Sequence, residues 1–180
     1  MKDYTFKIMV LGDSSVGKTT LANRYVTGVF TDVKMTVGVN FYVKRIKFGN
    51  KRIRLQLWDM GGEKRFRFLL PTYCLGSAGA LYVYDITREN TLDNIHEWIR
   101  IIKEHNGNIP IMLVGNKVDL EANNRQVPRE RGIEIAKKMG CIGFVEISAK
   151  TGINVEEAFE TISNLMLKSI KEENANTDEE

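Results

Sequence analysis

The sequence predicts an α/β fold: a doubly wound, mostly parallel six-stranded sheet with one antiparallel edge strand and about five helices. Apolar runs of strand length alternate with helical-period segments, which is the pattern of a sheet covered by helices on both faces. A Gly49-Asn50 pair separates two of the runs as a hairpin turn would. The 180 residues, 43% hydrophobic and 27% charged, suffice for one core and exclude a disordered or fibrous chain.

Taken in order, residues 6–11 form the first strand, and a helix follows from near Gly17. Residues 41–48 and 52–58 flank the Gly-Asn turn and make the antiparallel edge pair. Residues 80–84, 111–115 and 144–147 complete the six strands. Leu92, Ile95, Ile99 and Ile102 repeat at helical spacing behind the cap Thr91, and Gly107 stops that helix. Another helix starts at Pro128, where a missing N–H costs nothing. The last opens with Asn154 and Glu157 as a capping box and runs on through Ala158, Phe159, Ile162, Leu165 and Met166. Residues 1–170 then form one domain, and 171–180 an acidic tail expected to be disordered.

Net charge is +3, but residues 172–180 carry five acidic groups, leaving +8 on the rest. That charge is too modest and dispersed to indicate nucleic acid, though large enough for one basic face. Cys74 and Cys141 fit no disulfide framework or metal pattern and read as reduced thiols. The longest uncharged run, 68–84, is 17 residues and is interrupted by Pro71, Gly76 and Gly79, short of a bilayer span. With no signal-peptide core at the start, the expectation is a soluble, cytoplasmic protein.

The chemistry begins at Gly12-Asp13-Ser14-Ser15-Val16-Gly17-Lys18-Thr19, which matches GxxxxGK[ST] between a strand and a helix. Backbone N–H groups of such a loop, with the helix N-terminus, surround a polyphosphate, and Gly17 lets the chain approach without a side chain in the way. Lys18 adds a point charge between the β- and γ-phosphates. The Thr19 hydroxyl can coordinate Mg²⁺, and Thr20 continues the loop into the helix. Alone, the loop indicates a nucleoside triphosphate without saying which.

Asn116-Lys117-Val118-Asp119, at the end of another strand, is suited to guanine. The Asp119 carboxylate can accept from both N1–H and the 2-amino group, and adenine offers neither donor. Losing two charged hydrogen bonds costs about 3–6 kcal/mol, enough to exclude ATP. Ser148-Ala149-Lys150 ends the last strand, where backbone N–H groups can meet guanine O6 while the Lys117 stem packs along the base and the phosphate loop. All three segments lie at carboxyl ends of strands, where doubly wound sheets bind ligands.

Together with Thr36-Val37-Gly38 and Trp58-Asp59-Met60-Gly61, these segments identify a resemblance to the Ras-superfamily small GTPases, a P-loop NTPase G domain of the Rab-like branch. Gly38-Val39-Asn40-Phe41, Trp58 before Asp59, and Tyr84-Asp85-Ile86-Thr87 carry the Rab-like part. The resemblance implies a molecular switch in signalling and vesicle trafficking that binds GTP or GDP with Mg²⁺ and hydrolyses GTP. In such proteins the threonine matching Thr36 holds Mg²⁺ and touches the γ-phosphate, Asp59 holds Mg²⁺ through water, and the Gly61 N–H donates to the same phosphate. Losing that phosphate releases both segments, which partners read. The implied partners are effectors, exchange factors and activating proteins, and the effector surface is Val37, Gly38, Val39, Asn40, Phe41, Trp58, Phe66 and Leu69.

Three departures stand out. The resemblance puts a water-orienting glutamine after Gly61, where this chain has Gly62, so intrinsic hydrolysis is expected to be slow. A cis arginine finger has no room in the 16 residues between Thr19 and Thr36. Some Rab-activating proteins supply both a glutamine and an arginine in trans. Next, the first switch is one residue short, leaving Phe30 either as the aromatic beside guanine or as an apolar anchor for the loop. Ser14, facing the γ-phosphate, suits Rab-like members. Lastly, no cysteine stands in the last residues for prenylation, so either the chain continues in a longer protein or it is not lipid-anchored. The basic hairpin residues Lys44, Arg45, Lys47, Lys51, Arg52 and Arg54 read either as an anionic-membrane contact or as a solvated edge guarded by its charges. Two rival readings stay open: a GTP-binding module with negligible hydrolysis, kept alive by Gly62, and a P-loop kinase or ATPase, opposed by Asn116–Asp119.

Overall fold

Six strands build one sheet in the order β2-β3-β1-β4-β5-β6. They are β1 (Lys2–Leu11), β2 (Val39–Phe48), β3 (Lys51–Met60), β4 (Gly79–Asp85), β5 (Ile111–Asn116) and β6 (Gly143–Ile147). Only β2 runs antiparallel to its neighbour. The computed structural model describes residues 2–177, and their side chains as far as residue 170. Each strand lies where its apolar run stands, and several reach further than that run. Lys2 opposes Lys51 at the start of β1, so charged ends join the ladder through backbone pairing.

Strand alternation divides the core into two layers. Phe6, Ile8 and Val10 of β1, with Leu55, Leu57, Leu81, Val83 and Val114, face α1 (Lys18–Thr27) and α6 (Val155–Thr177). The stack of Tyr25 on Phe159, centroids 3.8 Å apart, joins those two helices. Met9, Leu11, Tyr82, Tyr84 and Leu113 face the other way, toward α2 (Leu70–Tyr73), α3 (Ile95–Asn106) and α5 (Arg129–Met139). Ile95, Trp98, Ile99 and Ile102 provide the buried stripe of α3. A four-residue turn, α4 (Glu121–Asn124), buries no residue. Six helices are therefore present among the described residues, two of them single turns.

Three expectations about helix starts change. Thr91 does not cap α3: its Oγ1 accepts from the Asp85 N–H at 3.0 Å and donates to the Arg88 carbonyl at 2.7 Å, holding a 3-10 turn. The helix begins behind Asn94 instead. Asn154 makes no capping box, because its φ is +56° and its Nδ2 donates to the Glu146 carbonyl. Pro128 stands one residue outside α5, at the cap. The last helix also continues to Thr177, so the domain boundary expected at 170 falls inside it, and residues 178–180 lie outside the described residues.

The chain leaves β1 for β3 on one side and reaches β4 on the other. Reversal of strand order beside β1 opens a crevice at its carboxyl end. The Gly12–Lys18 loop sits there.

Candidate functional site

A cleft of about 370 Å³ at this crevice is lined by Ser14, Ser15, Gly17, Lys18, Thr19, Thr20, Val33, Lys34, Met35, Thr36, Gly62 and Lys117. The loop enters it through Gly12 and leaves through Gly17, whose φ of +98° is left-handed. A Cβ on Gly17 would stand 2.3 Å from Asn116 Nδ2. What approaches Gly17 so closely is thus a side chain of the base motif as well as any ligand. Val16 faces the core and serves the cleft only by its backbone.

Lys18 is 5% exposed, and its ammonium donates to the Asp13 carbonyl at 2.8 Å. Burial pulls its pKa down to about 8, against the opposing charges of Asp59 and Asp13. The Asp13 carboxylate turns away from the cleft to receive Arg67 at 3.2 Å and Asn94 at 3.0 Å.

Thr19, Thr36 and Asp59 converge although they come from α1, the loop before β2, and β3. Thr19 Oγ1 lies 2.6 Å from Thr36 Oγ1 and donates to Asp59 Oδ2, which Thr36 reaches at 3.2 Å. Asn40 Nδ2 supports Thr36 Oγ1 at 3.2 Å. Asp59 is fully buried, and its Oδ1 has no hydrogen-bond partner. Burial raises its pKa, a push that the Thr19 hydrogen bond and the Lys18 charge only partly offset. Two hydroxyls and a carboxylate with an unpaired buried oxygen fit a small hard cation that takes its remaining ligands from water and phosphate.

At the base end, Asn116 is a strut. Its Nδ2 donates to the Val16 carbonyl at 2.9 Å, and its Oδ1 accepts from the N–H groups of Lys117 and Ala149 at 2.8 and 3.0 Å. Ser148 Oγ donates to Asp119 Oδ1 at 2.7 Å and thereby aims that carboxylate, whose residue is exposed. Of the Ser148-Ala149-Lys150 N–H groups expected to face a base, that of Ser148 donates here to the Ile153 carbonyl and that of Ala149 to Asn116 Oδ1. Lys150 offers its carbonyl to Arg24. Lys117, itself left-handed at φ +75°, sends Nζ to the Ser15 carbonyl and to Asp85 Oδ2, so it does run along the phosphate loop.

The second switch requires a correction by one residue. The Gly61 N–H, assigned to the γ-phosphate, donates to the Gly38 carbonyl at 2.7 Å. Gly62, assigned as the position of a missing glutamine, is the residue packed on the loop: a Cβ there would lie 2.4 Å from Asp13 C and Ser14 N. Adjacent glycines look alike in sequence, and only the close approach tells them apart. The first side chain beyond that contact is Glu63, paired with Arg65 at 2.8 Å.

Phe30 does not join the cleft lining and is 42% exposed. Of the presumed effector residues, Val37 and Phe41 are exposed, and Phe41 meets Trp58 edge-on, with Tyr73 beyond it. Asn40 turns inward to Thr36, Leu69 packs on the core, and Phe66 lies against Gly61. Phe68, 75% exposed, and Met35 are further large exposed apolar side chains of the two switch segments. In the basic hairpin, Lys44 turns to the opposite face, where its ammonium bonds the Tyr25 carbonyl and Glu156. Arg45 opposes Arg54 and Lys47 opposes Arg52 around a groove of about 510 Å³.

A phosphate-loop motif, an oxygen cluster suited to a hard cation and an aimed carboxylate thus gather at the carboxyl ends of β1, β3 and β5, and residues 7–168 match the model of the Ras family. The chain belongs to the Ras family. Ras-related protein Rab-8 of Diplobatis ommata is 44% identical over 178 residues, 97% of this chain and 84% of that protein. Ras-related protein Rab-8B of Homo sapiens is 45% identical over 163 residues, covering 89% and 78%. Ras-related protein RAB1BV of Beta vulgaris is 42% identical over 178 residues, covering 98% and 80%. This member of the Ras family is a Rab-like small GTPase, a GTP-binding molecular switch. No helix among its described residues is long and apolar enough to cross a membrane.

Proposed function

We propose that this small GTPase holds GTP or GDP with Mg²⁺ bound by Thr19 and Thr36, and by Asp59 through water, and that it hydrolyses GTP slowly. The observation that carries the nucleotide and metal reading is the Thr19–Thr36–Asp59 cluster beside the buried Lys18. When bound, the cation supplies charge neutralisation for the phosphates. Lys18 places a second charge on them, the loop N–H groups orient them, and the Asp119 carboxylate selects guanine.

Slow hydrolysis keeps its support after the shift at Gly61-Gly62, because residues 59–70 contain no glutamine. Glu63, next to the loop-facing glycine, has its carboxylate engaged by Arg65. A partner supplying the missing groups fits this reading. Gly62→Gln is a poor test, since no side chain fits at Gly62 with the switch drawn in. Glu63→Gln is the better one: single-turnover hydrolysis should quicken, and an unchanged rate would mean that something else positions the water. Nucleotide retained after purification separates the readings. GDP supports the slow switch, GTP a module that signals by occupancy, and an adenine nucleotide overturns both.

Exposed Val37, Phe41 and Phe68 form the effector surface of a monomeric switch read by effectors, exchange factors and activating proteins, in keeping with a trafficking role. Arg45, Lys47 and Arg54 share one face with Arg45 directly opposite Arg54, and like charges so placed are destabilising, whereas Arg52 on the same face is paired with Asp3 at 2.6 Å. That favours peripheral contact with an anionic membrane, and flotation with phosphatidylserine vesicles at low salt tests it: no association ends the idea.

A further inference from the structure

Four successive carbonyls of the phosphate loop are each held by a side-chain donor. Lys18 Nζ bonds the Asp13 carbonyl at 2.8 Å, Arg88 Nη2 the Ser14 carbonyl at 3.1 Å, Lys117 Nζ the Ser15 carbonyl at 3.1 Å, and Asn116 Nδ2 the Val16 carbonyl at 2.9 Å. In a trans peptide the carbonyl and the following N–H point in opposite directions. Holding those four carbonyls therefore aims the N–H groups of Ser14, Ser15, Val16 and Gly17 the other way. Lys18, Lys117 and Asn116 belong to motifs read from the sequence. Arg88 belongs to none.

Arg88 is anchored as firmly as Lys117. Its Nε lies 3.0 Å from Asp85 Oδ2, the same oxygen that Lys117 Nζ meets at 2.6 Å. Asp85 is 1% exposed, and its Oδ1 is fixed by the Thr87 N–H and Oγ1 at 2.9 and 2.7 Å. One buried carboxylate thus carries two cations, and these hold the carbonyls on either side of a single residue. That residue, Ser15, has φ +62°, a left-handed conformation that a non-glycine residue adopts at a cost of about 1–2 kcal/mol. Neither its own side chain nor any glycine relieves the strain; the flanking bonds hold it.

We propose that Arg88 is a positioning residue of the nucleotide site. With Lys117, and from the shared Asp85, it clamps Ser15 in the left-handed geometry that points the Ser15 and Val16 N–H groups at the phosphates, and so prolongs the stay of bound nucleotide. This rests on the nucleotide-binding reading above. The arginine acts through the loop and need not touch the ligand. Because the loop N–H groups serve phosphates common to GDP and GTP, the effect is the same for both.

The test is stopped-flow release of fluorescent GDP, and of a fluorescent non-hydrolysable GTP analogue, from the wild type, Arg88→Ala and Arg88→Lys. Loss of one charge-assisted hydrogen bond should quicken release of both ligands by roughly 5- to 30-fold in Arg88→Ala. Arg88→Lys keeps a cation on Asp85, as Lys117 does, and should return release to within about threefold of wild type. Release from Arg88→Ala within about twofold of wild type would overturn the proposal. So would equal acceleration in both variants, which would mark local damage in place of a bridge. Should Arg88→Ala fold poorly, Arg88→Met, which keeps the bulk of the side chain without its donors, takes its place: release within about twofold of wild type overturns the proposal, and so does acceleration confined to one ligand. Failure of the underlying reading looks different, a wild type that retains no guanine nucleotide, and takes this proposal with it.

Discussion

Gly62→Ala puts the drawn-in second switch to the test. The new Cβ would stand 2.4 Å from Asp13 C and Ser14 N and 2.6 Å from the Asp13 carbonyl oxygen, all backbone atoms. Ordinary contact lies about 1 Å further out, so one side must retreat. The phosphate loop is held at four carbonyls and by the core packing of Val16. The switch is anchored further along, by the Arg67 pairs with Asp13 and Glu97 and by Leu69 and Leu70 on the core, while around Gly62 itself only the Gly61–Gly38 bond holds it, so the Gly62 segment gives way. Overpacking of this kind costs about 1–3 kcal/mol, or about 5- to 150-fold in an equilibrium. On the reading proposed above, Thr36 at the Thr19–Asp59 cluster marks this as the arrangement of the GTP state. Affinity for a GTP analogue should therefore fall by that factor while GDP affinity stays within about twofold, measured by competition fluorescence. The melting temperature of the GDP form should barely change. An unchanged ratio of GTP to GDP affinity would refute the reasoning, because the close approach would then play no part in the GTP state.

Phe159→Ala removes a fully buried ring that stacks on Tyr25, and should cost about 3–5 kcal/mol, lowering the melting temperature of the GDP-saturated protein by about 6–20 °C. A loss below 1 °C would show that α6 does not hold this layer. Burial pushes the Cys141 thiol up to about 11, against the pull of Lys103. A raised thiol pKa keeps the neutral, unreactive form below that pH, so alkylation of the native protein at pH 8 should run at least about a hundredfold slower than that of free cysteine. It should then climb about tenfold per pH unit toward pH 11. A rate near that of free cysteine at pH 8 would contradict this environment.

Continuous segments of this protein were legible; approaches across the fold were not. The strands stood out because residues such as Ile8, Val10, Leu81 and Val83 sit in unbroken apolar runs, and the nucleotide motifs because each occupies a few consecutive positions. Thr91 misled because a threonine before an apolar stripe looks like a cap, whereas its hydroxyl is committed to Asp85 and Arg88. Arg88, Asn94 and Arg67 escaped notice because they reach the loop from 74, 81 and 54 positions away, with no local pattern to betray them. Asp85 offered a weak signal: a carboxylate at the end of a fully buried strand must find partners. The Gly61-Gly62 pair was ambiguous for another reason, since two neighbouring glycines lack side chains equally and only packing says which one must.

The amide of Asn116 binds the phosphate end and the base end of the crevice into one mechanical unit. Were the two ends held separately, a ligand could let go of one while the other kept it, and the loose end would fall back before escape. With one buried side chain serving Val16, Lys117 and Ala149, dragging the loop outward strips a hydrogen bond from the same group that fixes the base-side segments. Departure becomes concerted, and an exchange protein that pries at the phosphates alone, without ever meeting guanine, unfastens both.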